Sequence, residues 1–71
     1  MKWPRLRRIL ESGPLGYRVT RQTGSHRTME AVGRPTLHLS FHDDQEIPGG
    51  LIRKILVRDV GLSEAEAREL L

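Results

Sequence analysis

The chain contains no cysteine. No disulfide can staple it and no thiolate metal site can form. That absence fits a reducing, cytoplasmic setting without establishing one. No apolar run reaches the ~18 residues of a membrane-spanning helix, so no membrane span is expected. Residues 1–10 carry basic side chains but neither the apolar stretch nor the small-residue cleavage site of a signal peptide. Aromatic side chains are scarce: Trp3, Tyr17 and Phe41 are all there are. No repeat, low-complexity tract or linker divides the 71 residues, and residues 1–71 read as one domain. A chain this short buries roughly 60% of the surface its unfolded form exposes, so a partner or self-association would add needed stability.

Charge is present, and unevenly. Twelve Lys and Arg against nine Asp and Glu give a formal net charge of +3. Residues 1–34 hold eight basic and two acidic side chains, while residues 35–71 hold four basic and seven acidic. A basic half suits a polyanion such as nucleic acid, and it equally describes an arginine-rich solvated surface.

The hydrophobic pattern predicts the order α-β-β-β-α with a short terminal helix. Trp3, Leu6, Ile9 and Leu10 share one helical face over residues 3–12, with Arg5, Arg7 and Arg8 on the wet side. Pro4 suits a first turn, and Ser12-Gly13-Pro14 ends the segment. Tyr17 and Val19 alternate with Arg18 and Thr20, which marks a strand. After a turn at 23–25, residues 26–32 form a second strand with Met29 inward. After Gly33-Arg34-Pro35, residues 36–42 form a third, with Leu37, Leu39 and Phe41 alternating with His38, Ser40 and His42. Pro48 opens a helix to about Arg58, and Gly61 stops it. Ser63 and Glu66 have capping-box spacing ahead of a helix over residues 64–70 that buries Ala67 and Leu70, with Leu71 at its margin.

Short turns make the strands an antiparallel meander, an α+β arrangement with both main helices on one sheet face. Three-residue turns at 23–25 and 33–35 would pair Val19 with Met29, Met29 with Leu39 and His26 with His42. The face away from the helices then carries Arg18, Thr20, Gln22, His26, Thr28, Glu30, His38, Ser40 and His42. Directly opposed side chains have Cβ atoms about 5 Å apart. Two histidines at that spacing could flank one phosphodiester, a base activating a ribose 2′-hydroxyl and an acid protonating the leaving 5′-oxygen. Against this stands the plainer reading of exposed polar histidines on a solvated face. A metal held by His26 and His42 lacks a neighbouring third ligand unless Asp43 or Asp44 supplies it, so no metal and no cofactor is expected.

Gly24-Ser25-His26 after a strand, a hairpin, His42 at the end of the third strand, Glu46-Ile47-Pro48, and the helix Gly50-Leu51-Ile52-Arg53-Lys54-Ile55-Leu56 followed by Gly61-Leu62-Ser63 form one pattern over nearly the whole chain. It resembles the HicA (YcfA-like) toxins of bacterial type II toxin–antitoxin modules. Arg27 stands where many relatives have a second histidine, and Asp43 and Asp44 lie where relatives are often basic or proline-rich. The resemblance implies a fold like a double-stranded-RNA-binding domain. It also implies an mRNA interferase, an endoribonuclease that halts translation and is neutralised by a HicB antitoxin in a toxin–antitoxin hetero-oligomer. His26 occupies the position of the family's catalytic histidine.

On this reading His26 acts as general base or acid without a metal, and His42 is a candidate assistant. Gly24 and Ser25 could hold a phosphate oxygen. Arg18, Arg21, Arg27 and, on the second main helix, Lys54 could neutralise the RNA backbone. With Tyr17 and Phe41 assigned to the core, stacking platforms for bases are few, and loose sequence specificity is expected. Two other functions use the same features: a non-catalytic RNA-binding module, and a protein-interaction domain whose open face or strand edge a partner covers.

Overall fold

The computed structural model describes all 71 residues. The first helix, α1, spans Trp3–Glu11, with Pro4 in its first turn. It buries Trp3, Leu6 and Leu10 against the sheet and leaves Arg5 and Arg8 in water, while Arg7 donates to Glu11 one turn along at 3.2 Å.

The sheet has strands β1 (Arg18–Thr23), β2 (His26–Glu30) and β3 (Leu37–Ser40) in the order β1-β2-β3, both pairs antiparallel. This is the α-β-β-β-α layout expected from the pattern. β2 and β3 are shorter than expected, because residues 31–36 form a folded connection rather than a tight turn. The Arg34 amide donates to the Ala31 carbonyl at 3.2 Å, and the Tyr17 hydroxyl donates to the Pro35 carbonyl at 2.7 Å.

The longer connection corrects the expected register. Met29 pairs with Leu37 and His26 with Ser40, so the third strand is slid by two residues and His26 does not face His42. A slip of two keeps every side chain on its own face, which is why the burial pattern alone could not detect it. The first hairpin differs as well. Its turn has two residues, Gly24 and Ser25, and an irregularity between Val19 and Arg21 restores the expected Val19–Met29 pair. Thr20 is the extra residue of this β-bulge.

All the helices lie on one side of the sheet. Helix α2 (Gly49–Lys54) continues into a wider π-helical turn over Ile55–Asp59, closed by the Val60 amide donating to the Ile55 carbonyl at 2.8 Å. The wide turn puts Ile55, Leu56 and Val60 all into the core. Helix α3 (Glu64–Leu70) begins with the anticipated capping box: the Glu66 amide donates to Ser63 Oγ at 3.1 Å, and the Ser63 amide to Glu66 Oε1 at 2.9 Å. Ala67 is buried, whereas Leu70 is half-buried and Leu71 is 52% exposed. Sixteen buried apolar residues from all three helices and the sheet form one core. No helix is long and apolar enough to cross a membrane.

Candidate active site

Gly24 has a φ of +60° and Ser25 a negative one. A positive φ at the first of two turn residues belongs to the hairpin turns whose twist matches that of the flanking strands, and glycine adopts it without penalty. The turn therefore delivers His26 as the first residue of β2, exposed and directly opposite Thr23 on β1 and Ser40 on β3. Ser25 Oγ lies 3.4 Å from Ser40 Oγ, a contact that ties the turn to the end of β3.

Register and alternation arrange the open face as rows across the three strands. One row is Thr23, His26 and Ser40; the next is Arg21, Thr28 and His38; beyond them Arg18 faces Glu30. All of these are exposed except Thr28, which is half-buried. The bulge at Thr20 is what places Arg21 here. Strict alternation assigns this face Thr20 and Gln22 instead, but the extra residue shifts the remainder of β1 by one, and Gln22 pairs with core-facing Arg27. Thr28 Oγ1 lies 3.4 Å from His38 Nδ1.

Arg27 points the other way, toward the helices, and is 8% exposed. Its Nη1 donates to the Phe41 carbonyl at 2.6 Å and to the Ser25 carbonyl at 3.2 Å, and its Nη2 to Asp43 Oδ1 at 3.3 Å. The guanidinium carbon stands 4.9 Å above the centre of the Trp3 ring. The Trp3 and Phe41 rings are 6.0 Å apart. A buried guanidinium is tolerated when donors find acceptors and the flat group stacks on an aromatic face. Here its Nε alone lacks a partner. Arg27 is therefore largely buried toward the helices rather than exposed on the open face. It clamps the Gly24-Ser25 turn to the segment that follows β3. The sequence contained the signal: alternation that turns Met29 inward also turns Arg27 inward.

The other expected residues divide between this face and elsewhere. Gly24, Ser25, Arg27, Phe41, His42, Asp43 and Asp44 line a shallow depression at the end of the sheet. His42 is exposed, lies beyond the last residue of β3, and its amide donates to Gln45 Oε1 at 3.2 Å. Arg18 and Arg21 stand exposed on β1. Lys54 lies on α2, in the helix layer, where its Nζ is 3.5 Å from Asp59 Oδ2, and neighbouring Arg53 is paired with Glu64. No three metal-ligating side chains converge anywhere. All three aromatic rings are buried, Trp3 included, so the open face has no aromatic stacking platform.

A face with a histidine flanked by hydroxyls, beside two arginines, can move protons next to a bound anion. A family model for the HicA toxin of bacterial toxin–antitoxin systems matches residues 3–62. No curated protein and no solved structure matches the chain.

Proposed function

The chain belongs to the HicA toxin family, and from that membership we propose that it is a metal-independent endoribonuclease in which His26 transfers a proton as mRNA is cut. The family's members are toxins of toxin–antitoxin systems and generally cleave mRNA, so an RNA substrate and an antitoxin partner come with membership. The reading further takes residues 1–71 as one toxin domain, active in the cytoplasm and neutralised by a HicB-like antitoxin in a hetero-oligomer.

One observation carries the assignment of His26. The chain's turn delivers that ring to the open face, between two hydroxyl side chains and diagonal to Arg21. Histidine changes charge close to neutral pH, so it can both accept and return a proton. In the reaction a base takes the proton of a ribose 2′-hydroxyl, and that oxygen attacks the adjacent phosphorus. The P–O5′ bond breaks as an acid protonates the 5′-oxygen, leaving a 2′,3′-cyclic phosphate and a 5′-hydroxyl. Arg21 and Arg18 neutralise the phosphate charge, and the Gly24-Ser25 turn supplies polar groups for a phosphate oxygen. Arg27 and Lys54 stay outside this site, one buried and the other engaged with Asp59 in the helix layer.

The test is cleavage of a long unstructured RNA by the purified protein and by His26→Ala, with EDTA in both reactions. Loss of a positioned general acid or base costs about 10²–10⁴-fold in rate, so the variant should be all but inactive beside a cutting wild type. Equal cleavage by both would remove His26 from the mechanism. RNA binding that survives His26→Ala, with no cleavage by either protein, would identify a binding module instead.

A further inference from the structure

The proposed reaction needs two proton-transfer groups, and the sequence pattern offers His42 as the second. The register does not put it there. His26 faces Ser40, so the neighbours of Ser40 on the same side of β3 are His38 before it and His42 after it. Only His38 lies within the paired strand, where it faces Thr28. His42 follows the last residue of β3, outside the paired ladder, where its amide donates to Gln45 Oε1. His26 and His38 are thus diagonal neighbours on one rigid, open sheet face. Diagonal pairs have backbone positions roughly 7–8 Å apart and Cβ atoms somewhat closer, within reach of long side chains. Two imidazoles so placed can address opposite sides of one phosphodiester.

From this register we infer that His38 is the second catalytic residue, and that it completes a proton-transfer pair with His26. The inference rests on the His26 nuclease reading. Thr28 Oγ1 lies 3.4 Å from His38 Nδ1, and no hydrogen bond to the protein engages Nε2. Arg21, in the same row, stands on the far side of Thr28 and diagonal to His26, so the bulge at Thr20 brings a fixed positive charge to the face that holds both imidazoles. The charged and titratable groups on this face are Arg18 and Arg21 of β1, His26 and Glu30 of β2, and His38 of β3. One imidazole of the pair removes the 2′-hydroxyl proton while the other, protonated, gives its proton to the 5′-oxygen. Both change charge, the pair as a whole keeps one proton, and hydrolysis of the cyclic phosphate runs the roles in reverse.

The experiment compares His26→Ala, His38→Ala, His38→Asn and His42→Ala on a short RNA with one cleavable linkage, measuring rate against pH and RNA affinity. His38→Asn keeps a side chain that can bond Thr28 but cannot transfer a proton. Both His38 variants should lose about 10²-fold or more in rate with RNA affinity within about threefold of wild type. The bell-shaped wild-type pH profile should lose one limb in the His38 variants and the other in His26→Ala. A bridging 5′-phosphorothiolate substrate, whose sulfur leaves without a proton, should rescue one of the two positions. His38 variants that cut at the wild-type rate while His26→Ala is dead would overturn the pairing and leave the His26 reading intact. So would a loss in His42→Ala beside that in His26→Ala, with both His38 variants at the wild-type rate. Wild-type protein that is folded yet cuts no RNA would overturn both.

Discussion

Arg27 gives the sharpest test of how the site is held. Arg27→Met keeps the apolar stem and removes the guanidinium. It loses two donations to carbonyls, at 2.6 and 3.2 Å, and the stack on Trp3 at 4.9 Å. Hydrogen bonds from a charged group contribute about 1.5–3 kcal/mol each. A desolvated cation–π contact adds about 2 kcal/mol. Against these stands the cost of keeping a charge out of water, several kcal/mol per ion, which the variant no longer bears. The net loss works out at about 2 kcal/mol or more, because the Phe41 carbonyl is left buried without its donor while the part-buried Ser25 carbonyl can turn to water. A 71-residue domain has a total stability of ~4–10 kcal/mol, and at this size such a loss lowers Tm by about 8–16 °C. Asp43→Asn supplies the contrast. Asp43 is 77% exposed, so its pair with Arg27 is screened and its loss should cost under ~1 kcal/mol. Thermal and urea unfolding of both variants measures this. Equal losses, or an Arg27→Met protein as stable as wild type, would refute the claim that the carbonyl clamp and the stack hold the turn.

Gly24→Ala should lose about 1–2 kcal/mol in urea unfolding, and Gly24→Asn less, because no atom lies within 4 Å of an added Cβ and the cost is that of the +60° backbone alone; an alanine variant at least as stable as the asparagine one would contradict this. Ser63→Ala should cost about 1 kcal/mol through loss of the cap. The capping hydrogen bonds from the Ser63 backbone and hydroxyl hold the Glu66 carboxyl below the usual glutamate range. A lowered folded value means that this group's stabilisation is present above the ordinary pKa and is lost as pH falls through the folded one. Glu66→Gln should therefore flatten the acid side of the stability–pH curve, and an unchanged acid limb would sink the assignment.

Element order, the core face and the α3 cap were legible because each rests on a local rule: helical or twofold periodicity, or the Ser63–Glu66 spacing. The register was not, because it depends on how residues 31–36 fold, and that is settled by Tyr17 reaching Pro35 across 18 residues. A two-residue slip changes no face and so leaves no trace in the hydrophobic pattern. It does change which histidine stands beside which. The bulge at Thr20 had no local signal either, since neither glycine nor proline marks it, yet it decides that Arg21 shares a face with His26. The inward turn of Arg27 is legible from the alternation that turns Met29 inward, although a charged side chain by itself argues for the surface. Buried arginine is rare without partners, and its partners here, the Phe41 and Ser25 carbonyls and the Trp3 ring, come from three separate segments.

The layering also bears on how such a toxin is held in check. Every helix packs on one face, so the sheet's other face and both its edge strands, β1 and β3, remain uncovered. Exposed edges and an uncovered face are a liability in a domain of this size, where burial leaves little stability to spare. That exposure is also what an RNA backbone requires, because the two arginines and two histidines of the open face can reach it only where no helix intervenes. An antitoxin that covers this face would remove the liability and the activity in one step. It would need acidic groups opposite Arg18 and Arg21, and it would gain more from the rigid strands than from the Asp43-Asp44 loop, whose like charge would repel it. On this reasoning, Arg18→Glu and Arg21→Glu should weaken RNA and antitoxin binding together, whereas Lys54→Glu in the helix layer should leave the antitoxin bound.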